Sequence, residues 1–144
     1  MKHIISVFVV LATALSVTAI PAFAETNYST RIESPSEWVL TWDNVSSIDL
    51  GISFSGSTAT CSARIRGYSN VNKITATFTL KRVNSNGTMT TLKTWSESSS
   101  TNSLIFSDTY SPVSKDEIYR LEVTATVTAN GIGETVSDSA VMTY

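Results

Sequence analysis

Tyr119-Arg120-Leu121-Glu122-Val123-Thr124-Ala125-Thr126-Val127-Thr128 alternates apolar and polar residues without a fault over ten positions. A period of two places every second side chain on the same face of a strand, so this stretch predicts a half-buried strand. Tyr119, Leu121, Val123, Ala125 and Val127 face inward; Arg120, Glu122, Thr124, Thr126 and Thr128 face solvent. Asn130-Gly131 follows, a pair that tolerates the positive φ of a tight hairpin turn. It leads into a last strand through Val136, Ala140 and Met142.

The same period recurs upstream. Ile48, Leu50, Ile52 and Phe54 share one face, with Ser47, Asp49, Gly51 and Ser53 opposite, up to Gly56-Ser57. Ala59, Cys61, Ala63 and Ile65 point inward on a second strand that shows Thr60, Ser62, Arg64 and Arg66. Ile74, Ala76, Phe78 and Leu80 point inward on a third that shows Thr75, Thr77 and Thr79. Asn86-Gly87 turns into a fourth strand carrying Met89, Leu92 and Trp95, and a fifth carries Leu104 and Phe106 and ends before Pro112. The serine-rich residues 96–103 are expected to form a mobile loop between the two. No window of helical length shows a sustained 3.6-residue stripe.

Seven short strands with frequent turn signals predict an all-β, antiparallel β-sandwich of immunoglobulin or fibronectin type III kind, with a β-barrel as the rival. Tyr119 stands where such folds place the tyrosine corner, two residues before an inward position of the sixth strand. Cys61 lies at about the second-strand position of the immunoglobulin cysteine, but Leu121 occupies the partner position. With one cysteine in the chain no internal disulfide is available, and Cys61 is expected to be a buried, inert thiol.

Residues 1–24 read as a signal peptide: Lys2 for the positive n-region, an apolar run over residues 4–15, then Pro21 and Ala22-Phe23-Ala24 as a small-residue cleavage site. The alternative is an uncleaved membrane anchor, against which stand Thr13, Ser16, Thr18 and Pro21. Residues 25–46 are a polar N-terminal tail in which Trp38, Leu40 and Trp42 alternate as for an edge strand, and residues 47–144 form the sandwich domain. The expected protein is secreted, extracellular and monomeric, and free of the membrane once cleaved.

Cleavage removes His3, the one histidine, and with it any Ser-His-Asp or Cys-His nucleophile arrangement. All twelve acidic residues lie after the cleavage site and nine Lys/Arg remain, a formal charge of 9 − 12 = −3. Without clustered basic residues beyond Arg64 and Arg66, nucleic acid is not an expected partner. Asp108, Asp116, Glu117 and Asp138 are the carboxylates from which a glycosidase pair would have to be drawn. Solubility at strand ends accounts for them, and the protein is read as not an enzyme.

No cofactor is expected. Asp43-Asn44 and Asp116-Glu117 lack the ligand density of a calcium loop, and turn chemistry explains both. Asn27, Asn44 and Asn86 begin Asn-x-Ser/Thr sequences, which matter only in a eukaryotic secretory pathway. Serine and threonine make up about a third of the chain after residue 24. The third and sixth strands are neighbours in this topology, so Thr75, Thr77 and Thr79 are expected beside Thr124, Thr126 and Thr128 on one wet face. Trp38, Trp42, Tyr68 and Trp95 are the candidate ligand-contact residues, because an exposed aromatic face stacks on a sugar ring; packing in the core or at a sheet edge is their commoner role.

Five segments carry a resemblance: Ala59-Thr-Cys-Ser-Ala63, Lys73-Ile-Thr-Ala-Thr-Phe-Thr-Leu80, Lys93-Thr-Trp95-Ser, Tyr119-Arg-Leu-Glu-Val-Thr124 and Asn130-Gly-Ile-Gly-Glu-Thr-Val136. With the preceding signal segment they resemble a family of small secreted proteins, a domain of unknown function, from clostridial, often gut-dwelling, Gram-positive bacteria. The resemblance covers most of residues 45–137. It implies compartment and source and transfers no catalytic or binding residue. The function expected is extracellular interaction with a protein or glycan partner, the alternative being a carbohydrate-binding module built on exposed aromatics.

Overall fold

The computed structural model describes residues 42–144. The signal segment and most of the N-terminal tail, Trp38 included, lie outside the described residues. Seven strands follow one another: β1 Val45–Ser55, β2 Thr58–Gly67, β3 Val71–Val83, β4 Met89–Ser99, β5 Ser103–Tyr110, β6 Ile118–Ala129 and β7 Ile132–Thr143. There is no helix among the described residues. All pairings are antiparallel, in a three-stranded sheet of order β1-β2-β5 and a four-stranded sheet of order β4-β3-β6-β7. The chain is therefore an antiparallel β-sandwich of the immunoglobulin/fibronectin type III kind. Its fourth strand pairs with the third, which is where the 3 + 4 division departs from an immunoglobulin constant domain.

The inward residues of each strand make one core. Ala59, Cys61, Ala63 and Ile65 of β2 meet Ile74, Ala76, Phe78 and Leu80 of β3 and the full inward set of β6, all buried. Phe78 and Phe106 stack across the two sheets with centroids 4.2 Å apart and planes 7° from parallel. Tyr119 forms the tyrosine corner: its buried hydroxyl accepts from the Ser114 N–H at 2.8 Å and donates to the Ser114 carbonyl at 3.3 Å. The core-facing position two residues on is Leu121, so packing fills the space that a disulfide takes in antibody domains.

Two expectations need correction. Residues 96–103 are not a loop: β4 runs to Ser99 and β5 starts at Ser103, leaving only residues 100–102 between them. Serines are compatible with a strand there because Ser96 and Ser98 stand on the outer face of a sheet edge, beside Thr77 and Thr75. Met89 does not face the core but is 45% exposed. The register of β4 shifts between the partners of Leu80 and Lys81, so Leu92 is an extra residue in a bulge, and the face read from Leu92 and Trp95 does not extend back to Met89.

Both ends of the sandwich are tied. At one end Glu134, near the start of β7, accepts the Asp43 and Asn44 N–H groups at 2.9 and 2.7 Å, and Tyr68 N–H donates to the Asn44 carbonyl at 3.0 Å. At the other, the Tyr144 ring stacks on Phe54 and its hydroxyl donates to the Gly56 carbonyl, while its backbone bonds to Asp116 and Glu117. Asp116 holds φ 61°, a turn conformation, in agreement with the turn reading of Asp116-Glu117.

Candidate functional site

The outward residues of β3 and β6 stand at the centre of the four-stranded sheet, and register extends them into rows that cross all four strands. Ser98, Thr75, Thr126 and Thr135 form one row; Ser96, Thr77, Thr124 and Ser137 the next; Thr94, Thr79, Glu122 and Ser139 a third. Neighbouring strands lie about 4.8 Å apart and same-face residues along a strand about 6.8 Å, so the hydroxyls repeat on a grid, turned by the sheet's own twist. Two of the three expected threonine pairs form, Thr75 with Thr126 and Thr77 with Thr124, whereas Thr79 stands opposite Glu122 and Thr128 opposite Lys73. Thr124 and Ser137 hydroxyls approach to 3.3 Å.

Below the hydroxyl rows the face becomes ionic. Glu122 stands between two cations, with Lys81 Nζ 2.5 Å from Oε2 and Arg120 Nε 3.0 Å from Oε1. The Arg120 N–H is not aimed at that oxygen, so the second contact is charge attraction without a hydrogen bond. Half-exposed pairs of this kind are each worth at most about 1 kcal/mol to stability. An open depression of about 410 Å3 lies beside them, lined by Arg120, Glu122, Thr124, Ser137, Asp138 and Ser139. Beyond it, Met89, Val83 and Ile118 make an apolar row, with Val141 alongside Arg120.

The three candidate aromatics among the described residues do not form one platform. Trp42 is half-buried against the core, and Tyr68, 50% exposed, is held to Asn44 by its backbone N–H. Trp95 belongs to a different place, the flank where β4 overhangs β5. Its ring packs tilted on Phe106 with centroids 5.4 Å apart, and Lys93 Nζ sits 5.0 Å from its own centroid. The indole is thus engaged by the Phe106 ring and by the Lys93 ammonium. Trp38 lies outside the described residues.

The carboxylates are likewise dispersed. Asp108 lies on β5 of one sheet and Asp138 on β7 of the other, on opposite flanks of the sandwich, while Asp116 and Glu117 belong to the loop bonded to Tyr144. Among the described residues no cluster of three His, Cys, Asp or Glu side chains is placed to hold a metal. Cys61 is fully buried, and its thiol is pushed up from 9.0 to about 11 by desolvation and, secondarily, by Asp108, with Lys93 partly offsetting them. A thiol so placed carries almost no thiolate at neutral pH and is a poor nucleophile.

Two arrangements were not anticipated from sequence. One is the Lys81–Glu122–Arg120 group, whose members look like ordinary solvated charges until register puts them side by side. The other is the Glu134 carboxylate capturing two backbone N–H groups some ninety residues away. The outward alternation of β6 marks Arg120 and Glu122 as surface residues; nothing local marks Glu134.

No protein-family model and no curated protein matches the chain. Among solved structures, the beta-glucuronidase of Parabacteroides merdae is similar over 69% of this chain and 13% of that one, at 14% identity and a TM-score of 0.41. OgpA from Akkermansia muciniphila is similar over 68% of this chain and 28% of that one, at 14% identity and a TM-score of 0.37. The chain thus spans less than a third of either protein, and likeness at this level transfers no activity.

Proposed function

We propose that this protein is a secreted, non-enzymatic contact module that binds an extracellular protein or glycan through the outer face of its four-stranded sheet. The observation that carries the reading is the arrangement of that face: hydroxyl rows aligned across all four strands, an ionic group, then an apolar row. Hydroxyls, a guanidinium and carboxylates offer both donors and acceptors to a polar partner, while the apolar row supplies area to desolvate. The dispersal of carboxylates and the inert thiol favour binding over catalysis. Secretion rests on the signal-like residues 1–24 and on the resemblance to small secreted clostridial proteins.

The test is binding of the protein to an immobilised panel of mucin glycans and extracellular matrix proteins. Thr77→Lys with Thr124→Glu should abolish saturable binding while leaving the melting curve in place, because both side chains are solvent-facing and the new charges, directly opposite across β3 and β6, are of opposite sign. The alternative, a carbohydrate-binding module, is favoured by Tyr68, whose ring is half exposed. Loss of glycan binding in Tyr68→Ala, with the threonine pair variant unaffected, transfers the function to that end of the sandwich.

A further inference from the structure

The outer edge of β1 differs from the other three sheet edges. Lys93, Asp108 and Asp138 stand at core-side positions of β4, β5 and β7, whereas β1 carries only Ile48, Leu50, Ile52 and Phe54 there. The two-residue turn at Gly56-Ser57 makes Ser55 and Thr58 a hydrogen-bonded pair. Register then runs unbroken back to Ser47 and Arg66, so the backbone groups of Ser53, Gly51, Asp49 and Ser47 point to β2. Those of Ile48, Leu50, Ile52 and Phe54 point the other way, and no strand among the described residues takes them up. A straight, uncharged edge of this kind is a template for one more strand.

Three observations say which strand. The chain enters β1 from the side of that edge: β7 lies against β1, and its Glu134 holds the Asp43 and Asn44 N–H groups. Trp42 packs against the core, and alternation in an extended run gives Leu40 and Trp38 the same face as Trp42. The core side of the edge has apolar surface left to cover, since Ile48, Leu50 and Phe54 are only half-buried while the inward residues of β2 are fully buried. Residues 36–41 span about 20 Å when extended, the length of residues 48–53 of β1. A second copy pairing edge to edge would bring two β7 strands together beneath the joined edges; a single strand brings none.

We propose that the β1 edge is a docking site for this chain's own residues 36–41, Ser-Glu-Trp-Val-Leu-Thr, which lie outside the described residues. The segment pairs antiparallel to β1, with Trp38 and Leu40 on the core side over Ile48 and Leu50 and with Glu37, Val39 and Thr41 on the outer side. Tethering through Trp42 and Asp43 holds the segment at high effective concentration beside the edge, ahead of any free strand. Pro35, which cannot donate to a ladder, ends the pairing. The edge belongs to the three-stranded sheet, so this inference is independent of the binding face proposed above.

The test is amide hydrogen exchange followed by NMR on the protein with residues 25–41 in place. The amides of Ile48, Leu50 and Ile52 should be protected, and cross-strand NOEs should connect residues 38–41 to β1. Leu40→Pro removes a donor aimed at β1 and should speed exchange at those three amides about tenfold or more, leaving Gly51 and Ser53, which bond to β2, unchanged. Fast exchange of the three amides in the wild type overturns the proposal, as does protection that survives Leu40→Pro. Protection lost on dilution, with a dimer in sedimentation, assigns the edge to a second copy and overturns it too. Should Leu40→Pro fail to fold, the wild-type exchange and NOEs decide the matter alone.

Discussion

The Tyr119 hydroxyl satisfies both backbone groups of Ser114 at once, so it anchors the loop that delivers β6 to the core. Tyr119→Phe keeps the ring and strands a part-buried N–H and C=O; urea unfolding should show a loss of about 1–3 kcal/mol. Cys61 makes a pH-dependent contribution whose sign follows from its raised pKa. The unfolded thiol loses its proton near 9.0 and the folded one only near 11, so between those values the native state holds more protons. Stability is therefore unaffected by Cys61 below about pH 9 and falls above it, by up to about 1.4 kcal/mol per pH unit. The difference in unfolding free energy between wild type and Cys61→Ala, followed from pH 8 to pH 11, should show that slope; a parallel pair of curves sinks the assignment. Gly67 is a third single-residue constraint, because an added Cβ would come 2.6 Å from Val71 Cγ2. Val71 is buried and cannot step aside freely, so Gly67→Ala should cost about 1–3 kcal/mol by thermal or urea unfolding.

Four strands are sheet edges, and an edge presents unpaired backbone groups to any other strand. Three of the four carry a charge at a position opposite a buried residue: Lys93 of β4 pairs with Leu80, Asp108 of β5 with Cys61, and Asp138 of β7 with Val123. Lys93 and Asp108 also face each other across the opening between the sheets, 3.9 Å apart, and Lys93 Nζ donates to the Thr109 carbonyl at 3.3 Å. A second molecule pairing there would have to bury those charges. Replacing Lys93 and Asp138 together by Ile should leave the strand content by circular dichroism intact and produce concentration-dependent light scattering. These devices explain which elements were legible from sequence. β2, β3 and β6 are interior strands; β2 and β6 keep their period throughout and β3 keeps it from Ile74 to Leu80, and their inward sets are those of the core. β4 is an edge with a bulge at Leu92 and a lysine on its inward side, so its pattern is broken where its structure is not. The hydroxyl face was half legible for the same reason: its β3 and β6 columns alternate cleanly, whereas Ser96 and Ser98 sit in a serine-rich run that resembles a loop by composition.

At the scale of the molecule, no cross-link holds the sheets together, and stability rests on one continuous core from Val45 to Val136. Most of that core is assembled by pairings between residues far apart in the chain, β2 with β5 and β3 with β6. Folds dominated by such pairings close long loops before they gain contacts, which places refolding in the millisecond-to-second range. Stopped-flow tryptophan fluorescence should show that timescale, and the same melting temperature should be found with and without reductant. The two tied ends carry a further consequence. β1 begins beside the start of β7, through Glu134, and ends beside its finish, through Tyr144 and Gly56. The two strands therefore run in the same direction, and residue 42 and residue 144 lie at opposite ends of the sandwich. Tension applied between them acts along the strands, while the β1–β2 and β6–β7 hydrogen bonds lie across it. Those bonds are loaded in shear and must yield together instead of unzipping singly, so a pull through the chain meets the sandwich in its mechanically resistant direction.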